Sequence, residues 1–313
     1  MHVDTDADSI LAAHAAEHHG VFRGHHARLA GLSNWEIGRR ISDQRWLPLY
    51  RDVYRVNGAP PTWKGDLLAA CWAGGFRAVA SRRSAAELHE LPGRRRDLVE
   101  ITCPRWRRAH LSGLIVHETK AMEACDITVV EGIAVTSVAR TLFDLGGVYG
   151  RGYVELALEN ALRRSLVTEA GLEAAVKRLS RSGRPGGPIL RQLLAARAPD
   201  RRPTDSEQET LMLQAIRSRG LPEPVTQFEV WDGSRRIGRV DAAYPDSKIA
   251  IEYDSDEFHS GRVPTRQDRA RRHELIAASW LPIDVGPSEL RSGGVSMCAA
   301  IAQALCDRRP PPR

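Results

Sequence analysis

Three carboxylates in the C-terminal third, Asp241, Glu252 and Asp254, stand at spacings that could hold a cation beside a phosphate. They lie in Ile237-Gly-Arg-Val-Asp-Ala-Ala-Tyr244 and Lys248-Ile-Ala-Ile-Glu-Tyr-Asp254, runs of β-branched and small apolar residues around the turn formers Pro245, Asp246 and Ser247. This pattern predicts a β-hairpin. With Asp246-Ser247 as the loop, Tyr244 pairs with Ile249 and Asp241 with Glu252. Opposed residues on one face have Cβ atoms about 4.5–5.5 Å apart. Asp254 shares the face of Glu252, while Ile249, Ile251 and Tyr253 fall on the other. The expectation is three carboxylates converging on one side of a strand pair. Like charges so placed cost stability. Either solvent disperses them, or a divalent ion such as Mg²⁺ or Mn²⁺ turns the repulsion into ligation, because Mg²⁺ takes one or two carboxylates with waters and phosphate oxygens. A one-residue slip of the hairpin would undo the arrangement.

Arg239-Val-Asp241, Ile251-Glu-Tyr-Asp254 and His259 together resemble the PD-(D/E)-x-K nuclease superfamily, closest to domains grouped with very-short-patch-repair endonucleases. Ser206-Glu-Gln-Glu209 upstream and Arg266-Gln-Asp-Arg-Ala-Arg-Arg272 with Leu275 and Trp280 downstream extend the likeness over about residues 200–290. The resemblance implies a restriction-endonuclease-like α/β domain with a mixed sheet. In it Asp241 and Glu252 hold Mg²⁺ or Mn²⁺, Glu209 assists, and Asp254 and His259 stand beside the phosphate or leaving group. Asp254 takes the place of the superfamily lysine, Ser255 stands where Gly is common, and Asp284 falls where the last strand usually has Arg. Lys248 is no substitute for that lysine: four strand residues from Glu252 is about 13 Å.

The elements that must position these groups follow from periodicity and punctuation. Helix Asp205–Arg219, ended by Gly220, carries Glu209; a strand covers Pro224–Trp231, a helix Pro264–Ser279 and a last strand Trp280–Val285. With Leu275 and Ile276 packed, that last helix turns Arg266, Arg269 and Arg272 towards phosphates.

At the other end, helices are predicted over Ser9–His18, Gly24–Ala30 and Asn34–Ser42, the third with Ser33 and Glu36 as a capping box. Arg39 and Arg40 are expected outward on it, with Trp35, Ile37 and Ile41 packing. Two extended runs around Arg51 follow. This is the order of a winged helix-turn-helix, in which the last helix enters the major groove and the wing touches the backbone; a protein-contact module is the alternative. Residues 6–58 resemble the N-terminal domain of AbiEi-type antitoxins, and Ser81–His89 and Val135–Asp144 resemble their middle region. That likeness implies a DNA partner contacted by Arg39, Arg40 and Arg51, and a cognate toxin. His18-His19 and His25-His26 are adjacent pairs without ligand spacing, so they are expected at the surface or facing DNA.

The remaining composition sets bounds. The chain has 313 residues, 42% of them hydrophobic, and a net charge of +6, which favours nucleic acid over a membrane. Five scattered cysteines, no basic start and no apolar run of membrane length predict a cytoplasmic protein without membrane association. The fold class is multidomain α/β: a winged helix-turn-helix over 6–58, an α+β region over 62–180, a linker over 181–203 and the endonuclease-like domain over 204–306. The expected function is a metal-dependent DNA endonuclease targeted by its N-terminal module. The alternative is a non-catalytic, antitoxin-like regulator.

Overall fold

The computed structural model describes residues 3–92, 98–107, 113–119, 121–180, 186–197, 204–254 and 266–308, with backbone alone at 3–6 and 266–268. The chain forms two compact units, Met1–Pro199 and Asp200–Arg313. It is mixed α/β, with three sheets.

The first unit opens with α1 (Val3–Glu17), β1 (Val21–Arg23), α2 (Gly24–Leu29), α3 (Asn34–Ser42), β2 (Trp46–Tyr50) and β3 (Val53–Val56). Local chemistry sets α3. Gly31, at φ +92°, turns the chain before it, and Ser33 Oγ accepts the Glu36 N–H while Glu36 Oε2 accepts the Ser33 N–H at 2.7 Å. Strand β1 was not expected between the first two helices; it exists because β3 offers it a partner, giving an antiparallel sheet in the order β1-β3-β2. Leu11, Phe22, Ala27, Leu32, Ile37 and Trp46 form the core beneath.

The unit continues through α4 (Trp63–Gly74), β4 (Val79–Ala80), α5 (Arg82–Leu88), β5 (Val99–Cys103), β6 (Leu114–Glu118), β7 (Ile127–Val130) and β8 (Ile133–Thr136). Helices α6 (Val138–Leu145), α7 (Arg151–Arg163), α8 (Glu169–Ser180) and α9 (Gly187–Ala195) complete it. The five strands make a mixed sheet in the order β6-β5-β4-β8-β7. Two of the expected boundaries change. Val21 and Val53 share one core with Leu67, Leu68, Ile101 and Val135, so 6–58 and 62–180 pack as one body. The chain does divide within 181–203, but α9 inside that range is no linker: Leu190 and Leu193 are buried against Leu142, Phe143, Leu158 and Leu172. Prolines and glycines punctuate that range, yet the apolar face of α9 finds a partner groove.

The second unit contains α10 (Glu207–Ser218), β9 (Val225–Asp232), β10 (Arg235–Tyr244), β11 (Ile249–Tyr253), α11 (Arg266–Ala277), β12 (Leu281–Val285), α12 (Pro287–Arg291) and α13 (Val295–Asp307). Its sheet runs β12-β11-β10-β9, antiparallel except for the parallel β11–β12 pair. On one face Ile249, Ile251 and Val285 pack with Met212 and Ile216 of α10 and Ile301 of α13. On the other, Val230, Val240, Ala243 and Ala250 pack with Leu275 of α11 and Trp280. No described helix is long and apolar enough to cross a membrane.

Candidate metal and nucleic-acid sites

The hairpin register is the expected one: Tyr244 pairs with Ile249, Ala243 with Ala250 and Ala242 with Ile251. The turn itself is a 3₁₀ turn, Pro245–Ser247, closed by Lys248 in the left-handed region. Lys248 Nζ donates to Ala278 O at 3.1 Å, a contact of the turn rather than of the carboxylates.

Strict alternation fails at Asp241. Val240 and Ala243 both join the Trp280 cluster, while Ala242 packs on the opposite face with α10 and α13. The β9–β10 pairing correspondingly skips Gln227, which has φ +52°. The register is in step on both sides, so the left-handed Gln227 turns the pleat without an extra residue in either strand. Here Asp241 Oδ2 accepts the Tyr253 N–H at 2.8 Å, tying β10 to β11 through a side chain. Glu252 follows Ala250 by two residues and so faces α11, where Arg271 Nη2 lies 2.7 Å from its Oε1. Gly238 gives Arg271 room, since a Cβ there would sit 2.6 Å from Arg271 Nε. The same Nη2 donates to Arg239 O at 2.5 Å.

Glu209 is buried at the first turn of α10. It accepts hydrogen bonds from Gln227 Nε2 at 2.9 Å and from the Asp205 N–H at 3.1 Å. Burial raises its pKa, the bonds from Gln227 and Asp205 oppose this, and the charges of Asp241 and Asp205 add to the rise. Burial likewise raises Glu252; Arg271 opposes it, and Asp241 and Asp284 push it further up. Asp241 thus lies within electrostatic reach of both glutamates. Holding two carboxylates under such conditions costs stability.

The expected convergence of Asp241, Glu252 and Asp254 on one side is not reproduced. Among the described residues no group of three or more His, Cys, Asp or Glu side chains converges tightly enough to hold a metal. Asp254 lies beyond the end of β11 and is exposed, its N–H donating to Val285 O at 3.0 Å. His259 lies outside the described residues. Asp284 stands beside Glu252 across the parallel β11–β12 pair, and Arg272 is bonded to it. The arginine face expected free for phosphates is therefore partly occupied. Arg272 answers Asp284, Arg271 answers Glu252, and Ile276, expected to pack, is exposed. Arg269 is exposed, and the Arg266 side chain lies outside the described residues. Nothing in the sequence pairs Glu252 with Asp284, because a helix separates the two strands in the chain.

On α3 the outward and inward assignments change places. Arg40 is 3% exposed. Its Nε donates to Asp8 Oδ1 at 2.9 Å, and its guanidinium lies 5.6 Å from the Trp46 ring centroid. It is a strut between α1, α3 and β2, so its assignment as an outward DNA contact is withdrawn. Trp35, expected to pack, is 71% exposed, with the Arg39 guanidinium 5.8 Å from its ring centroid. Helical spacing would have flagged this, since Ile37, Arg40 and Ile41 share one face; residue type argued the other way. Arg39 and Arg51 are exposed. Of the paired histidines, His18, His25 and His26 cluster with His14, neighbouring ring centroids 3.8–4.0 Å apart and close to Trp72, while His19 Nε2 lies 3.1 Å from Glu131 O at the surface.

No family model matches the chain. Known proteins similar to it include two from Mycobacterium tuberculosis, Uncharacterized protein MT2308 of strain CDC 1551 / Oshkosh and Uncharacterized protein Rv2248 of strain ATCC 25618 / H37Rv. Each is 28% identical over 258 residues, spanning 82% of this chain and 92% of the relative.

Proposed function

We propose that the chain is a metal-dependent DNA endonuclease, its nuclease centre built on β10, β11 and α10 and its DNA targeting on α3 and the β2–β3 wing of a winged helix-turn-helix. The observation that carries the reading is Asp241 set at an interrupted strand position between two glutamates, both held above their ordinary pKa by burial and by its charge. These are hard oxygen donors, suited to Mg²⁺ or Mn²⁺. Arg271 currently supplies the positive charge that such an ion would bring to Glu252. Asp241 and Glu252 would hold the ion, with Glu209 behind Asp241. An ion there would make an attacking water more acidic and offset charge on the scissile phosphate. Glu209 is fixed by Gln227 and the Asp205 N–H, and Asp241 by the Tyr253 N–H, so both carboxylates are oriented beforehand. Arg39, Arg51 and Arg269 are exposed and would meet phosphates.

One observation favours a second reading, a non-catalytic antitoxin-like regulator with a cognate toxin. Arg271 and Arg272 already neutralise Glu252 and Asp284, as an ion-free scaffold would need. Plasmid nicking with Mg²⁺ or Mn²⁺ against an EDTA control separates the two. On the first reading wild type nicks, and Asp241→Asn loses cleavage by orders of magnitude while keeping its fold and its metal-free DNA affinity. If wild type never nicks and neither ion shifts its melting point, the nuclease is abandoned for the regulator.

A further inference from the structure

The first unit holds a second charged cluster, on residues the proposed function does not use. Glu100 in β5 is 1% exposed. Its Oε1 lies 2.7 Å from His117 Nε2 of β6, and its Oε2 accepts the Arg83 N–H at 3.2 Å, with Arg83 Nε 3.5 Å away. Arg82 Nη1 lies 3.0 Å from the same His117 Nε2. One ring nitrogen cannot serve both neighbours, because an ionised carboxylate only accepts and a guanidinium only donates. If His117 Nε2 donates to Glu100, as the shorter contact with an ionised carboxylate requires, the Arg82 N–H faces a donor.

Arg82 Nε and Arg83 Nε are both shielded from water and have no hydrogen-bond partner, though Arg83 Nε keeps its ion pair with Glu100. The groups are nevertheless held in place. Arg82 adopts φ +49°, in the left-handed region that non-glycine residues enter at a cost. The Arg83 guanidinium lies 5.7 Å from the Tyr149 ring centroid. Glu100, the carboxylate at the centre of the cluster, is committed to His117 and Arg83. The Arg82, Arg83 and His117 side chains are partly exposed, so a ligand can reach their outer atoms from solvent, though not the shielded Nε groups.

We propose that Arg82 and Arg83, with His117 and Glu100 behind them, bind a phosphate group. Two partly exposed guanidinium groups answered by the single carboxylate Glu100 leave an excess of positive charge that matches a tetrahedral oxyanion, which arginine engages through paired N–H donors. The phosphate comes either from a small phosphorylated molecule or from a nucleic-acid backbone. The site does not depend on whether the second unit cuts DNA.

The test uses the full chain in EDTA at constant ionic strength, with inorganic phosphate and a short DNA duplex as separate probes in calorimetric titrations of wild type, Arg82→Gln and Arg82→Lys. Losing charge-assisted bonds should weaken binding about tenfold in Arg82→Gln, with partial recovery in Arg82→Lys and an undiminished phosphate-free melting point. A loss confined to phosphate identifies the small-molecule source. A loss of duplex affinity, with a salt dependence shallower by about one contact, identifies the backbone. If neither probe separates wild type from Arg82→Gln, the proposal is overturned and the arginines serve only to neutralise Glu100.

Discussion

Arg40→Met tests most directly whether α3 is held as the structure has it. The substitution keeps an unbranched side chain against Trp46 but removes the charge that answers Asp8. Breaking a fully buried ion pair costs about 3–5 kcal/mol, most of it from the charge left behind. Asp8 keeps some solvent and its contact with Arg45 at 2.5 Å, which softens the loss, so about 2–3 kcal/mol is expected here. For a unit of this size that is a fall in melting temperature of roughly 5–10 °C. Asp8→Asn should lose part of the same energy, and the double variant should fall short of the sum. Arg39→Ala is the contrast. Its side chain is 65% exposed and meets Asp43 only at 3.7 Å, a contact worth little. Melting should barely move, while DNA affinity falls and its salt dependence loses about one phosphate contact. Calorimetric melting and salt-titrated DNA binding on wild type and these four variants decide it. An Arg40→Met variant that melts with wild type but binds DNA more weakly would refute the buried strut and return Arg40 to the DNA face.

Three further outcomes follow from the site and the histidine stack. Burial raises Glu209 above its unfolded pKa, so the folded protein binds the extra proton and stability is lost as pH rises through the folded value. Glu209→Gln should therefore melt higher than wild type at neutral pH and lose that advantage in acid, while nicking falls; lower melting at pH 7 would mean that its hydrogen bonds outweigh its burial. His26 is lowered from 6.5 to about 4, first by burial and then by His14, His25, Arg23 and His18. The unfolded chain takes up the proton first, so stability should fall as pH drops from about 6.5 to 4. The full shift corresponds to about 3 kcal/mol, reduced by solvent at the ring to about 1–2 kcal/mol, and His26→Gln should melt with a shallower pH slope over that window. Finally, Arg271→Gln removes the charge competing for Glu252 and should tighten Mn²⁺ binding measured by paramagnetic titration; unchanged or weaker affinity would separate Glu252 from any metal role.

The sequence by itself determined whatever depends on near neighbours. The third N-terminal helix is legible as Asn34–Ser42 because its cap, Ser33 with Glu36, lies three residues apart. The hairpin register is legible because the turn formers between the two runs place the loop at Asp246-Ser247, which pairs Tyr244 with Ile249. Tertiary structure decided what the charged side chains meet. Arg40 reads as a surface residue until Asp8 and Trp46, from other elements, make its burial affordable. Glu252 reads as a free ligand until α11 brings Arg271 to it and the parallel β11–β12 pair sets Asp284 alongside. Asp241 reads as one of three carboxylates on a face until the skipped pairing at Gln227 re-aims it. The physical reason is the same in each case. A charge is placed by whichever partner offsets its desolvation, and that partner is supplied by chain remote in sequence.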